Sequence, residues 1–137
     1  MRSDSSQTIL QFALVVCVAM EACTSSRPAH DVPPALEQYA ELYREDHTEE
    51  AAQRYRRECP EPVQDPQSAV DDGVNRCEAR ALAQAYQFIN SGACGAVGYP
   101  VRRGPVWLVP SYVGYAGTPS VPIEVVEATG EARTAAR

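Results

Sequence analysis

Apolar residues recur at helical spacing through the first half of the chain and at strand spacing through the second. Leu36, Tyr39, Ala40, Tyr43 and His47 step along one face after Pro33–Pro34, with Glu37, Glu41 and Glu45 on the neighbouring face. That spacing predicts an amphipathic helix opened by proline. Asp46 and Glu49 have the separation of a capping box, so a second helix, or a kinked continuation, is expected near His47. It carries Ala51, Ala52 and Tyr55 and stops before Pro60. The proline-rich run from Cys59 to Gln67 reads as a connection. Ser68 to Asp72 offers caps for a third helix, whose apolar stripe is Val74, Leu82, Ala85, Tyr86 and Ile89 and whose stop is Asn90-Ser91-Gly92.

From Gly95 the pattern changes to period two. Ala96 to Arg102 is a first strand, Arg103-Gly104-Pro105 a turn, and Val106 to Val109 a second strand. A loose connection over Gly114 to Pro119 leads to a third strand, Val121 to Glu127, which ends at Ala128-Thr129-Gly130-Glu131. Pro100, Pro110 and Pro122 lack an amide donor and are expected at edges, bulges or strand starts. Helices followed by strands define an α+β domain over residues 34–131, its antiparallel sheet packed on the third helix. Residues 132–137 read as a frayed, disordered tail.

Ahead of this domain lies a different texture. Arg2 precedes an apolar run from Ile9 to Met20 that ends at Glu21-Ala22, the build of a secretory signal over residues 1–22. The run is too short to cross a bilayer core, which needs about 20 apolar residues. Met20-Glu21-Ala22-Cys23 resembles the bacterial lipobox. The resemblance implies cleavage before Cys23, lipidation of that cysteine, and anchoring to a membrane of the cell envelope, on the periplasmic face or at the outer membrane. Thr24 after the cysteine resembles the outer-membrane sorting signal. Cleavage after Ala22 without acylation would instead release the chain into the periplasm. Residues 23–33, rich in Ser, Pro and Ala, read as a flexible tether.

Charge narrows the partners. Asp31, Glu37, Glu41, Glu45, Asp46, Glu49 and Glu50 are opposed over that stretch by Arg44 alone, whereas acidic and basic residues balance from Ala51 onward. The net charge of -6 therefore belongs to the N-terminal helical region. With no concentrated basic surface, nucleic acid is not an expected partner. The acidic stretch reads as a solvated helix face, with docking of a basic partner as the sharper alternative.

Export would place Cys23, Cys59, Cys77 and Cys94 in an oxidising compartment. Cys77 and Cys94 flank most of the third helix and would stand roughly 20–25 Å apart, too far to bridge. Cys59 ends the second helix and Cys77 lies near the start of the third, so an antiparallel hairpin favours Cys59–Cys77. Cys94 then remains as a buried apolar thiol, a rival partner for Cys59, or a reactive thiol.

Catalytic signals are sparse. Zinc is not expected, because no CxxC pair occurs and both histidines sit in or near the acidic segment. His47 reads as a helix-face residue and Asp71-Asp72 as caps; no cofactor or catalytic residue is assigned. Serines lie in linkers and turns without a nucleophile elbow. Trp107 reads as core, yet joins Tyr112 and Tyr115, which flank Gly114 in the loop, as candidates for contact with a protein partner.

Residues from roughly Ala79 to Glu131 carry an Ala-rich helix, Gly98-Tyr99-Pro100-Val101, Trp107-Leu108-Val109, glycines at Gly114 and Gly117, and the Val121 to Glu127 strand before Ala128-Thr129-Gly130-Glu131. This order resembles the NTF2-fold (cystatin-like) immunity proteins of bacterial polymorphic toxin systems. The resemblance implies a small curved antiparallel sheet wrapped on a helix and a non-enzymatic role, binding a toxin. Two other readings stand beside it. One is a structural envelope lipoprotein without a discrete ligand. The other is a small NTF2-like enzyme that would place Asp71, Asp72 or Glu124 in an enclosed pocket.

Overall fold

Pro34 opens a 3-10 helix (Pro34–Tyr39) that runs directly into helix α1 (Ala40–Asp46), in a first turn where its missing N–H leaves nothing unsatisfied. The computed structural model describes residues 32–92 and 94–136, so the signal segment, Cys23 and the tether up to Asp31 lie outside the described residues. Helix α2 (Glu49–Glu58) begins at Thr48, whose Oγ1 accepts a hydrogen bond from Ala51 N. The expected Asp46–Glu49 capping box does not form. Asp46 is the last residue of α1, and its carboxylate turns toward the sheet.

Helix α3 (Arg76–Ser91) is capped by Asn75 in a full capping box with Glu78, not from Ser68 to Asp72. Those residues belong to a separate 3-10 turn (Pro66–Asp72), and Gly73, at φ 80°, redirects the chain before the cap. The buried face of α3 is Ala79, Leu82, Ala83 and Gln87. Ala85 and Ile89, expected inward, are exposed. The contact stripe lies one step round the helix from the one drawn through the larger residues. Two alanines let the helix axis approach the sheet.

The sheet has five strands: β1 (Ala96–Val97), β2 (Val101–Arg103), β3 (Val106–Val113), β4 (Thr118–Val126) and β5 (Ala132–Thr134). All pairings are antiparallel, and the sheet is open. β1 and β2 share one edge of β3 end to end, Ala96 opposite Tyr112 and Val101 opposite Leu108. The expected strand from Ala96 to Arg102 is thus broken at Gly98-Tyr99-Pro100. The segment expected as a disordered tail is also ordered in part. β5 pairs with β4, Ala135 is buried, and Ala135 N donates to Pro122 O at 2.8 Å. Nothing local in those few residues announces a strand; its partner does.

β3 runs past Pro110, beyond its expected end at Val109. Register passes from Val109↔Ile123 to Ser111↔Ser120, so Pro110 faces both Val121 and Pro122 in one bulge. The two prolines sit together where the ladder is already interrupted, which is how a central strand tolerates them.

Each face of the sheet is covered. Val97, Trp107, Val109, Ile123 and Val125 pack on Val74, Ala79, Leu82 and Ala83 beneath α3. On the opposite face Leu108 and Ala135 meet Leu42 of α1, flanked by Tyr39, Val101 and Val121. Each fully buried aliphatic or aromatic side chain contributes about 1.5–3 kcal/mol, so the larger cluster makes α3 the main brace. The architecture is α+β, with three helices preceding an antiparallel sheet that packs on the third.

Candidate functional site

The bulge in β3 leaves backbone groups that the ladder cannot pair, and α1 supplies the remedy. The Tyr43 hydroxyl donates to Ser120 O and accepts from Ser111 N at 3.3 Å. Burial pushes this phenol well above its usual titration range, so it stays a neutral donor. From the other face Gln87 of α3 donates to Tyr112 O at 3.1 Å and accepts from Ser111 Oγ at 2.9 Å. Both helices therefore read the same irregular stretch of β3.

One turn beyond Tyr43, Asp46 reaches the gap between β1 and β2. Its Oδ1 accepts from Tyr99 N and its Oδ2 from the Tyr112 hydroxyl, each at 2.6 Å. The Tyr112 oxygen also lies 3.2 Å from His47 Nε2. Burial raises the Asp46 carboxyl above its ordinary value; the bonds from Tyr112 and Tyr99 and the charges of His47 and Arg80 pull against that without reversing it. Tyr112 is likewise pushed up, by burial first and then by the Asp46 charge.

The pH consequence has a definite sign. A carboxyl whose folded value is raised holds its proton to higher pH in the folded chain than in the unfolded one. Its contribution favours folding below the ordinary carboxylate value and is lost as pH rises through the folded value. The unfolding free energy of the wild type minus that of Asp46→Asn should therefore fall as pH increases from about 3 to about 7. Urea denaturation at intervals across this range measures the difference, and a rise with pH would contradict the assignment.

Behind Asp46, Arg80 of α3 donates from Nε to Gly98 O and from Nη2 to Val97 O, each at 3.2 Å. Its guanidinium carbon lies 5.0 Å from the Tyr55 ring centre and 5.3 Å from that of Tyr99, and the two rings are 5.0 Å apart. Cation–π attraction thus ties α2, α3 and the broken edge strand together. Beside this cluster opens a groove of about 390 Å³, walled by Tyr55, Pro60, Val63, Ala81 and Val97. Its floor includes the Cys59–Cys77 disulfide, with Cα atoms 5.6 Å apart, the pairing expected from the hairpin. Arg76 Nε lies 3.2 Å from Glu58 Oε2 and reinforces the same junction.

The three aromatic residues singled out as partner contacts separate. Trp107 is buried and its indole donates to Val74 O at 2.7 Å. Tyr112 lies in β3 rather than in the loop, and its ring is buried against Tyr43. Neither presents a surface to a partner, because strand β3 continues past Pro110 and carries Tyr112 under α1. Tyr115, at the β3–β4 turn, is 66% exposed. Two residues not singled out join it: Phe88 is 62% and Ile89 80% exposed, on the last turn of α3. That turn reaches the same end of the sheet, since Gln87 bonds Tyr112 O two residues before the β3–β4 connection.

Other expectations also find their places. Asp71 and Asp72 are exposed, and Glu124 is half-buried and paired with Arg133 at 3.0 Å. Cys94 is half-buried and is not a free thiol. Among the described residues no group of three or more His, Cys, Asp or Glu is placed to hold a metal, and no helix is long and apolar enough to cross a membrane.

Asp46 was hidden by its capping-box spacing. One signal could have exposed it: an acid in the last turn of a helix opposes the helix dipole, so its position needs another reason. Tyr43, Arg80 and Gln87 carry no comparable mark. Searches of protein families, of curated proteins and of solved structures find no match to this chain.

Proposed function

We propose that this chain is an exported, lipid-anchored protein of the bacterial cell envelope that acts as a non-catalytic protein-binding module of the immunity or inhibitor kind. The observation that carries the reading is the end of the molecule where Phe88, Ile89 and Tyr115 stand exposed. Large apolar and aromatic side chains held on ordered elements are the usual anchors of protein interfaces. A disulfide across the α2–α3 junction suits an oxidising compartment. The resemblance of residues 79–131 to NTF2-fold immunity proteins supports a toxin as the partner class.

The test combines capture with mass. Crosslinking in envelope fractions should trap a defined partner, and a Phe88→Ser, Ile89→Ser, Tyr115→Ala variant should reduce capture at least about tenfold. Its thermal midpoint should stay close to that of the wild type, because the replaced side chains are mostly exposed. Undiminished capture would remove this surface from the proposal. The intact mass of the native product should correspond to a chain beginning at acylated Cys23. A mass retaining Met1 would overturn export and anchoring together.

A further inference from the structure

The groove beside the disulfide holds a cation whose hydrogen bonding is incomplete. Nε and Nη2 of Arg80 are spent on two neutral carbonyls, whereas Nη1 has no hydrogen-bond partner among the described residues. Among the described residues no carboxylate forms an ion pair with Arg80; Asp46 feels its charge without a salt bridge to it. Three other arginines of α2 and α3 differ, since Arg54, Arg56 and Arg76 each lie against a glutamate, while Arg57 is exposed near the end of α2. Arg80 is also fixed in place. Two carbonyls and two tyrosine rings hold its planar fork, so little side-chain freedom remains to be lost when a ligand binds.

Around that fork the lining is mixed, with apolar stretches between Glu61 and Gln84. Tyr55, Val63, Ala81 and Val97 form its walls, and the exposed amide of Gln84 stands beside them, donating to Gly95 O at 3.3 Å. A volume of about 390 Å³ is at the small end for ligand sites. A guanidinium edge at one side and a hydrocarbon wall at the other match a small amphiphile bearing one negative group. We propose that this groove binds a monocarboxylate with a short apolar body, its carboxylate on Arg80 Nη1 and its body against Tyr55, Val63 and Ala81.

The site is separate from the exposed end that carries the protein-binding reading, so either can fail alone. The same chemistry is offered by a free aliphatic acid and by the C-terminal residue of a polypeptide. Glu61, exposed on the rim, opposes an anion and provides an independent handle.

The experiment titrates purified protein with octanoate, followed by amide chemical shifts. Octanoate should move the signals of Ala81, Gln84 and Val97, and octanamide, which has the same body without charge, should bind at least about tenfold more weakly. Arg80→Gln should weaken octanoate binding by a similar factor, Glu61→Gln should strengthen it, and added salt should weaken it. Equal binding of octanamide overturns the proposal, as does unchanged octanoate affinity in a folded Arg80→Gln protein. If Arg80→Gln does not fold, the octanamide comparison and Glu61→Gln decide alone, and weaker binding by Glu61→Gln would overturn it. A tripeptide ending in leucine, with a free or an amidated C-terminus, tells the sources apart. Tighter binding of the free-terminus peptide than of octanoate assigns a polypeptide end, and the reverse assigns a free acid; binding of neither overturns the site.

Discussion

Protein in which Cys59 and Cys77 are both serine is expected to lose about 3 kcal/mol of stability, the usual effect of opening a disulfide loop of this length. For a domain of this size the loss should lower the thermal midpoint by roughly 10–20 °C. The effect is large because α2 has little else to hold it. Its one buried residue is Ala51, and its contacts to the rest include Tyr55 with the Arg80 cluster and the Arg54–Glu45 and Arg76–Glu58 pairs. An exposed or half-exposed ion pair contributes at most about 1 kcal/mol, which cannot replace the cross-link. Both cysteines must be changed together, so that no single unpaired thiol is left to undergo thiol–disulfide exchange. Thermal and urea denaturation of the double variant measure the loss. A change below about 1 kcal/mol would mean that packing, not the bridge, seats α2.

Gly98→Ala should cost a comparable amount, about 2–4 kcal/mol, for a different reason. A methyl group there would stand 2.1 Å from Asp46 Oδ2 and 2.3 Å from Oδ1. Either Asp46 withdraws and gives up its bonds to Tyr99 N and the Tyr112 hydroxyl, or the backbone lifts and loses the 2.9 Å bond from Gly98 N to Pro110 O. Hydrogen bonds to a charged group contribute about 1.5–3 kcal/mol each. Gly98 is absent from the positive-φ residues, so backbone strain plays no part. Gly104→Ala is the contrasting case: it meets no atom within 4 Å but keeps φ at 58°. Its cost should be about 1 kcal/mol, purely conformational. Combining Gly98→Ala with Asp46→Ala should cost less than the sum of the two alone, because the methyl then meets no carboxylate. Additive effects in that cycle, or a Gly98→Ala cost below about 1 kcal/mol, would show that the Asp46 contact does not organise the strand break.

Much of the scaffold could be read from local signals, and the reasons are specific. Leu36 and Tyr43 lie inward on the first helix as their spacing requires, and Pro60 ends the second. Prolines Pro100, Pro110 and Pro122 marked the places where the sheet is irregular. The Cys59–Cys77 bridge followed from helix ends meeting in a hairpin. Errors arose where two local signals competed. Asn75 outcompeted Ser68 to Asp72 as a cap because Gly73 turns the chain between them. Apolar spacing alone places the α3 stripe through Ala85 and Ile89, whereas the sheet lies against Ala79, Leu82, Ala83 and Gln87.

By itself, then, the chain's order of residues determined the succession of helices and strands, the α+β class, the disulfide and the proline-marked irregularities, all of which depend on neighbours a few positions apart or on element ends. Only the tertiary structure decided that Asp46 joins Tyr99 and Tyr112, that Tyr43 fills the bulge, that β5 exists, and that Phe88 and Ile89 face water while Tyr112 does not. Those outcomes rest on contacts between residues as many as 77 positions apart. Hydrogen bonds and burial depend on where partners meet in space, and no periodicity along the chain encodes which distant group will arrive.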